Sequence, residues 1–179
     1  MLDVAEALAI VLQHTRPRRP AAVSLSPAML GQVLAVDVHA DRDLPPFDKS
    51  LRDGYAVRAA DCTTANAELA VVKEIAAGDA SPVAIGPGEC VRIFTGAPIP
   101  HGADAVVMQE DTEPLEGGRV RITDEVVKPG QWIFRRGTEM RAGEVVLPAG
   151  TPLNAAAIGL LASIGAAEVP VISWPRAAV

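Results

Sequence analysis

The chain has 179 residues, of which 22 are acidic and 16 are basic, so its formal net charge is −6. This length suits one compact domain or two small ones, and we favour two small modules. The acidic excess leaves no basic surface to attract a phosphate backbone, so we expect no nucleic-acid partner.

The cysteines and the apolar runs narrow the class further. Cys62 and Cys90 have no second Cys or His two to four residues away, which argues against a disulfide framework and a zinc site and predicts reduced thiols in a cytoplasmic protein. Asp3 and Glu6 interrupt the first apolar run, so we predict no signal peptide. No run of about eighteen apolar residues occurs, so we expect no membrane span.

The first predicted element is an amphipathic helix over residues 2–13, because Val4, Leu8, Val11 and Leu12 recur at helical spacing. A proline-rich linker follows at residues 16–20, where each proline disfavours helix in the residue before it.

Beyond the linker, Ser26 and Pro27 predict a short helix leading into an extended segment at residues 36–38. From Leu69 to Ile133, short alternating runs separated by Gly-Pro, Pro-Gly and Gly-Gly turns predict a small β-barrel or sandwich.

Towards the carboxyl end, Asn154 is predicted to cap a helix that Gly165 ends, and a strand is predicted at residues 169–173. The apolar residues after Pro175 predict a further strand without a partner. The helix stripe and this final strand both need a core that we do not find in the chain.

Two segments carry most of the chemistry. Residues 45–57, PPFDKSLRDGYAV, place two carboxylates, two cations, a Ser and a Tyr in an apolar frame, and residues 92–111 read RIFTGAPIPHGADAVVMQED. They resemble the MoeA and gephyrin family of molybdopterin molybdenumtransferases, whose corresponding segments read roughly PxFDNSAMDGYAV and RIMTGAPxPxGADAVVMQED. The resemblance covers nearly the whole chain.

The resemblance implies a β-rich α+β architecture, in which a small β-barrel-like domain is inserted into a discontinuous, elongated linker domain after an amino-terminal amphipathic helix. The expected ranges are 1–19 for the helix and linker, 20–44 plus 140–171 for the discontinuous domain, 45–139 for the β-rich insert, and 172–179 for the start of a missing α/β domain.

The same resemblance implies insertion of molybdate into adenylylated molybdopterin, with release of AMP and with Mg²⁺ as cofactor, in molybdenum cofactor biosynthesis. It also implies a homodimer, in which the second domain of one subunit faces the third domain of its partner. Adenylylated molybdopterin is then expected to bind only together with the missing α/β domain.

Three positions are predicted to be catalytic: Asp53, Thr95 and Glu139. The family places its functional aspartate and threonine at the positions of Asp53 and Thr95. Asp53 is also the predicted metal ligand, because Mg²⁺ favours carboxylate oxygens and Gly54 would permit a sharp turn that presents the side chain. Thr95 and Gly96 are the predicted cofactor-binding residues, since a hydroxyl and backbone N–H groups can hold a tetrahedral oxyanion.

Other charged groups have simpler interpretations. Glu110 and Asp111 end an apolar run and are typical of a solvated strand edge, which we favour over a metal cluster. Arg135 and Arg136 fit a phosphate clamp or an exposed turn beside Gly137 equally well.

The chain also departs from the family pattern. Lys49 and Arg52 bring two positive charges near Asp53, where they would lower its pKa and compete with a metal ion. Thr138 and Glu139 stand where the family has Glu and Asp.

Three hypotheses remain open. The first is the amino-terminal portion of a molybdate-inserting transferase, inactive alone. The second is a non-catalytic, stand-alone interaction or dimerisation module that retains the family fold. The third, a hydrolase built on Asp53 and Glu110, rests on residue types only.

Overall fold

The computed structural model describes residues 2–16, 18–64, 66–79, 82–124 and 126–174. Their regular secondary structure is mostly β-strand, with two α-helices, which confirms the predicted β-rich composition. In chain order the elements are α1 (Val4–His14), β1 (Ala21–Ser24), β2 (Val33–Leu34), β3 (Val38–His39), β4 (Lys49–Ser50), β5 (Gly54–Val57), β6 (Glu68–Ile75), β7 (Glu89–Ile93), β8 (Ala105–Met108), β9 (Thr112–Leu115), β10 (Arg119–Ile122), β11 (Ile133–Phe134), β12 (Val145–Leu147), α2 (Ala155–Ser163) and β13 (Glu168–Ile172).

The chain divides into two compact units. One comprises Met1–Asp41 with Gly143–Val179, and the other is the continuous segment Arg42–Ala142. The predicted scheme of four parts stays a prediction, because compactness alone separates only these two units.

The continuous unit contains a six-stranded sheet in the order β8-β5-β7-β6-β10-β9, curled into a half-barrel. Its neighbouring strands are antiparallel except for β6 and β7, which run parallel. A separate ribbon pairs β4 with β11 in antiparallel register.

Both faces of the central strands are covered. Tyr55 and Val57 of β5 belong to one buried cluster, whereas Ala56 between them belongs to another. Alternate side chains of a strand point to opposite faces, so β5 is buried along its whole length. A central strand held on both faces is a rigid support for the residues that immediately precede it.

The discontinuous unit contains a three-stranded antiparallel sheet in the order β1-β13-β2 and a smaller pair of β12 with β3. Asn154 caps α2 by accepting a hydrogen bond from the backbone N–H of Ala157 at 2.8 Å, which confirms the predicted cap. Gly165, with φ +75°, follows the end of the helix, as predicted. Leu161 and Val171 lie in the core of this unit.

Helix α1 begins with a reciprocal cap. Asp3 accepts from the N–H of Glu6 at 2.8 Å, and Glu6 accepts from the N–H of Asp3 at 3.0 Å. The predicted helix is confirmed, and no residue of α1 is buried within the described part of the chain. Neither helix of that part has the length and apolar character that crossing a membrane requires.

Three local predictions need correction or fall outside the description. The short helix after Ser26 is a single 3₁₀ turn, and Ser26 makes no side-chain cap. The extended segment begins at Val38, because residues 35 and 36 form a bend. Strand β13 is paired on both sides, so the carboxyl strand at 168–172 exposes no open edge, while the apolar residues after Pro175 lie outside the described residues.

Candidate functional site

Asp53 stands at the start of β5, where the backbone is held closely against β8. A Cβ atom built on Gly54 would lie 1.9 Å from the carbonyl oxygen of Val107, so only glycine fits the approach of the two strands. The N–H of Gln109 donates to the carbonyl oxygen of Asp53 at 3.0 Å. Gly54 therefore permits close strand packing, and the sharp turn that we predicted for it is not its role.

Thr95 lies in the tight turn that follows β7. The N–H of Ala97 donates to the carbonyl oxygen of Phe94 at 3.0 Å, which closes the turn. Gly96 adopts φ +86°, a left-handed conformation that side chains disfavour. The N–H of Gly96 donates to the carbonyl oxygen of Ser50 at 2.9 Å, so the turn is also tied to the segment that leads to Asp53.

Asp53 and Thr95 meet through a single carboxylate oxygen. Asp53 Oδ1 accepts from the backbone N–H of Thr95 at 2.8 Å and from its hydroxyl at 2.7 Å. The hydrogen bond from the backbone N–H of Thr95 has the largest effect on the pKa of Asp53, and that from the Thr95 hydroxyl has the next largest. Both hold this pKa below its ordinary value, and the positive charge of Arg92 adds to the effect. Asp53 is therefore an oriented, ionised carboxylate at neutral pH.

Arg92 is a supporting residue to which the sequence analysis assigned no role. Its guanidinium donates to the Tyr55 hydroxyl at 3.0 Å and to Gln109 Oε1 at 2.9 Å. Tyr55 and Arg92 are direct partners across β5 and β7, a pairing that no local sequence signal specifies.

The charged groups of Lys49 and Arg52, which were predicted to affect Asp53, lie against aromatic rings. The Lys49 ammonium lies 5.3 Å from the ring centre of Phe134, and the Arg52 guanidinium lies 4.6 Å from that of Trp132. Neither is among the causes of the lowered pKa of Asp53, so the predicted effect of these two residues on that pKa is wrong.

Asp53 and Thr95 open onto a cleft of about 230 Å³. The other lining residues are Arg52, Met108, Gln109 and Glu110. Glu110 belongs to a 3₁₀ turn after β8 and is exposed, as the solvated-edge interpretation expects, yet its side chain also borders this cleft.

Glu139 is not brought to the pair. Its backbone N–H donates to the carbonyl oxygen of Leu44 at 2.9 Å, in the segment that follows β11. Among the described residues it neither lines the cleft nor makes a side-chain hydrogen bond to Asp53 or Thr95. The structure therefore unites two of the three predicted catalytic residues.

The predicted oxyanion cradle of backbone N–H groups is not open. The N–H of Thr95 is occupied by Asp53, and that of Gly96 by Ser50. Because the Thr95 hydroxyl also donates to Asp53, its remaining capacity is that of an acceptor. These oxygens suit a cation or a hydrogen-bond donor better than an anion.

The carboxylate oxygens of this cleft fit a Mg²⁺ ion that retains most of its water ligands. Within the described residues no group of three or more His, Cys, Asp or Glu side chains converges on a metal position. Mg²⁺ is nevertheless commonly held by one or two carboxylates plus waters and substrate oxygens. Asp53 and Glu110 are the carboxylates available in this cleft, and no described hydrogen bond ends on Asp53 Oδ2.

Arg135 and Arg136 have structural partners. Arg135 donates to Asp48 Oδ2 at 2.6 Å, and the backbone N–H of Arg136 donates to Asp48 Oδ1 at 2.8 Å. The Arg136 side chain contacts Asp43, whose other oxygen accepts from the N–H of Ala142 at 2.8 Å. These contacts favour the exposed-turn interpretation over the phosphate clamp.

Comparisons with known proteins agree with this fold. Residues 2–165 match the family model described as MoeA N-terminal region (domain I and II). A structure described as molybdopterin biosynthesis moeA protein from Pyrococcus horikoshii superposes with a TM-score of 0.85 at 36% identity, covering 96% of this chain and 46% of that one. The fold thus places the chain among proteins of the MoeA type.

Curated relatives support the same class. A molybdopterin molybdenumtransferase from Nostoc sp. is 44% identical over 153 residues, which are 83% of this chain and 35% of the relative. Another, from Staphylococcus aureus, is 44% identical over 157 residues, covering 84% of this chain and 36% of the relative. The chain belongs to the MoeA N-terminal region family. It spans little more than a third of the length of these curated relatives.

Proposed function

We propose that this chain is the amino-terminal portion of an enzyme that inserts molybdate into adenylylated molybdopterin during molybdenum cofactor biosynthesis. The observation that carries the proposal is the Asp53–Thr95 pair, hydrogen-bonded at 2.7 and 2.8 Å on one side of an open cleft. The name of the relatives, molybdopterin molybdenumtransferase, supports a proposal that involves molybdopterin and the transfer of molybdenum.

In this proposal Thr95 orients the carboxylate of Asp53, and that carboxylate would bind the metal ion. Two hydrogen bonds on Oδ1 fix the plane of the carboxylate, which leaves Oδ2 to contact a hydrated Mg²⁺. When bound, Mg²⁺ would neutralise negative charge on the phosphate and molybdate oxygens. Glu110 lies at the same cleft and would hold a water of the cation or a second ligand position. Glu139 remains a proposed contributor from a separate segment.

The pterin is proposed to bind mainly outside these 179 residues, on a further α/β domain. The cleft of about 230 Å³ is small for a complete adenylylated pterin and suits the oxyanion and metal end of the substrates. The proposal therefore assigns the chain a part of a shared site, completed by another domain or by a partner subunit.

A reconstitution assay tests this function. The chain is mixed with a separately expressed α/β domain of a molybdopterin molybdenumtransferase, adenylylated molybdopterin, Mg²⁺ and molybdate, and AMP release is measured. Asp53→Asn keeps the shape of the side chain and removes its charge, so we expect turnover to fall at least a hundredfold. Glu116→Gln removes one exposed carboxylate from the turn between β9 and β10 and is expected to leave the rate unchanged. Equal rates for wild type and Asp53→Asn would contradict the proposal.

A second candidate is a non-catalytic dimerisation module, and α1 is the observation in its favour. Val4 is 86% exposed, Leu12 63%, Val11 60% and Leu8 55%, so the helix presents an apolar stripe. The two candidates make different demands, because a dimerisation module needs this stripe and has no requirement for Asp53.

A further inference from the structure

Arg52 presents an uncommitted cation at the Asp53 cleft. Its guanidinium lies 4.6 Å from the ring centre of Trp132, and the side chain is exposed. Among the described residues no hydrogen-bond acceptor or ion-pair partner meets this guanidinium. Stacking occupies the flat face of a guanidinium and leaves the N–H donors along its edges available for a ligand.

The backbone beneath Arg52 is held by a buried hydroxyl. Ser50, only 1% exposed, donates from Oγ to the carbonyl oxygen of Arg52 at 2.6 Å and accepts from its N–H at 3.2 Å. The N–H of Leu51 donates to the carbonyl oxygen of Trp132 at 2.9 Å. The arginine and its aromatic support are thus joined through the backbone as well as through their side chains.

Trp132 has an unfavourable backbone conformation for a large side chain. Its φ is +52°, in the left-handed region that bulky residues rarely adopt. Trp132 is the third residue of the turn that the N–H of Ile133 closes by donating to the carbonyl oxygen of Gly130 at 3.2 Å, and this turn holds it there. Backbone outliers of this kind cluster at functional sites, and the Trp132 side chain supports the guanidinium of Arg52.

The charges around the cleft define the ligand. Asp53 is already compensated by Thr95 and Arg92, so it does not consume the charge of Arg52. Asp53 and Glu110 are the carboxylates that line the cleft, and they favour a ligand accompanied by a divalent cation. A guanidinium with free edges binds tetrahedral oxyanions in bidentate geometry.

We propose that Arg52, stacked on Trp132, is a binding residue for a tetrahedral oxyanion, either molybdate or a phosphate group, at the Asp53 cleft. The inference rests on the proposed function, because it names the substrate group that the same cleft holds. Arg52 stands where the quoted family pattern has Met.

Equilibrium titration of the 179-residue chain tests the inference. Molybdate, inorganic phosphate and AMP are titrated separately in the presence of Mg²⁺ and followed by isothermal calorimetry. Arg52→Met removes the charge and is expected to weaken oxyanion binding about tenfold or more, as loss of a charge-assisted hydrogen-bond pair predicts. Arg52→Lys keeps the charge without the planar fork and is expected to weaken it severalfold.

Arg119→Met is the matched control. Arg119 is an exposed arginine of β10 in the same unit, paired with Glu68 at 3.2 Å, and does not line the cleft. Arg119→Met removes the same charge as Arg52→Met but from outside the cleft, so the oxyanion affinity of this variant should stay within about twofold of wild type. Circular dichroism verifies that each variant is folded, and Arg52→Lys provides the test if Arg52→Met fails to fold.

The outcomes distinguish free molybdate from the nucleotide phosphate as the ligand, and they distinguish failure of the Arg52 inference from failure of the proposed function. Preference for molybdate assigns Arg52 to the free oxyanion, preference for AMP assigns it to the nucleotide phosphate, and either result supports the inference. Undetectable binding by wild type, or equal affinity in wild type and Arg52→Met, would overturn it. If Arg52→Met leaves the oxyanion affinity unchanged while Asp53→Asn abolishes turnover in the reconstituted assay, the role of Arg52 fails and the proposed function stands. If oxyanions bind through Arg52 but the reconstituted assay shows no turnover, the proposed function fails and the role of Arg52 stands.

Discussion

The carboxylate of Asp53 is oriented mainly by one other residue, Thr95. Thr95 supplies both donors to one oxygen, and Arg92 adds positive charge from the neighbouring strand end. Since the side chain is exposed, orientation comes from these hydrogen bonds and owes little to burial. The same hydrogen bonds lower the pKa of the carboxyl group, so it stays ionised to a lower pH than an unpaired aspartate does.

Replacing Thr95 by Val tests this arrangement directly. The substitution removes the hydroxyl and keeps the backbone N–H, so we expect the pKa of Asp53 to rise towards its ordinary value of 3.8 without reaching it. A pH titration of the Asp53 carboxyl carbon by NMR measures the change. Thr138→Val is the control, because the Thr138 hydroxyl donates to the backbone carbonyl oxygen of Arg135 and does not contact Asp53. An unchanged pKa in Thr95→Val would show that the hydroxyl is not the donor.

The same shift has a consequence for stability. The pKa of Asp53 is lower in the folded state, so its ionised form stabilises the fold above the unfolded-state pKa near 3.8, and this contribution is lost as the pH falls through the folded-state value. The difference in urea midpoint between wild type and Thr95→Val should therefore shrink as the solution is acidified below about 3.8.

Gly54 offers a test of the strand packing behind the site. A Cβ atom would overlap the carbonyl oxygen of Val107 at 1.9 Å, and that backbone cannot rotate away as a side chain can. We expect Gly54→Ala to lower the free energy of unfolding by about 1–3 kcal/mol or more, measured by chemical denaturation. Gly86→Ala, whose Cβ would meet Glu89 at an ordinary 3.5 Å, should change it by less than about 0.5 kcal/mol. A neutral Gly54→Ala would show that β5 and β8 can move apart.

At the scale of elements, the candidate site depends on three neighbouring strands. β5 leads from Asp53, β7 leads to Thr95, and β8 leads to Gln109 and Glu110. These strands are adjacent in the sheet, with β5 in the middle. Antiparallel pairing places the start of β5 beside the ends of β7 and β8, so the cleft residues gather at one sheet end.

Helix α1 carries the prediction about assembly. Its cap is complete and its apolar side chains are exposed, so we expect it to drive self-association at micromolar concentration. The double substitution Leu8→Gln with Val11→Gln should shift sedimentation velocity profiles towards the monomer. Val72→Gln with Val126→Gln removes two exposed valines from the other unit and should leave the profiles unchanged. A monomeric wild type would contradict the prediction.

For the whole molecule, the prediction concerns catalysis by the isolated chain. Holding two reactants together in a productive orientation is worth up to about 7–11 kcal/mol, and we propose that pterin binding requires a further domain. The 179-residue chain alone, given adenylylated molybdopterin, Mg²⁺ and molybdate, should therefore release AMP only at the background rate. Robust turnover by the chain alone would contradict its assignment as part of a larger site.

Local sequence was sufficient for much of the fold and for part of the site. The helical spacing of Val4, Leu8 and Val11 and the cap at Asn154 act within one or two turns, so both helices were predictable within two residues. Asp53 and Thr95 were named from motifs that also indicated the family. The roles of Gly54 and Arg92 were missed, because each depends on the strand that lies beside it.

What the amino-acid sequence determined by itself was the family, the β-rich composition and the choice of Asp53 and Thr95 as candidate site residues, since periodicity, caps and motifs are properties of neighbouring residues. Only the tertiary structure decided which groups act on that pair. It turned Lys49 and Arg52 onto aromatic rings, kept Glu139 away from the cleft, and occupied the N–H groups expected to hold an oxyanion. Hydrogen bonds and charges act through distance in space, and segments 42 residues apart become neighbours only when the sheet forms.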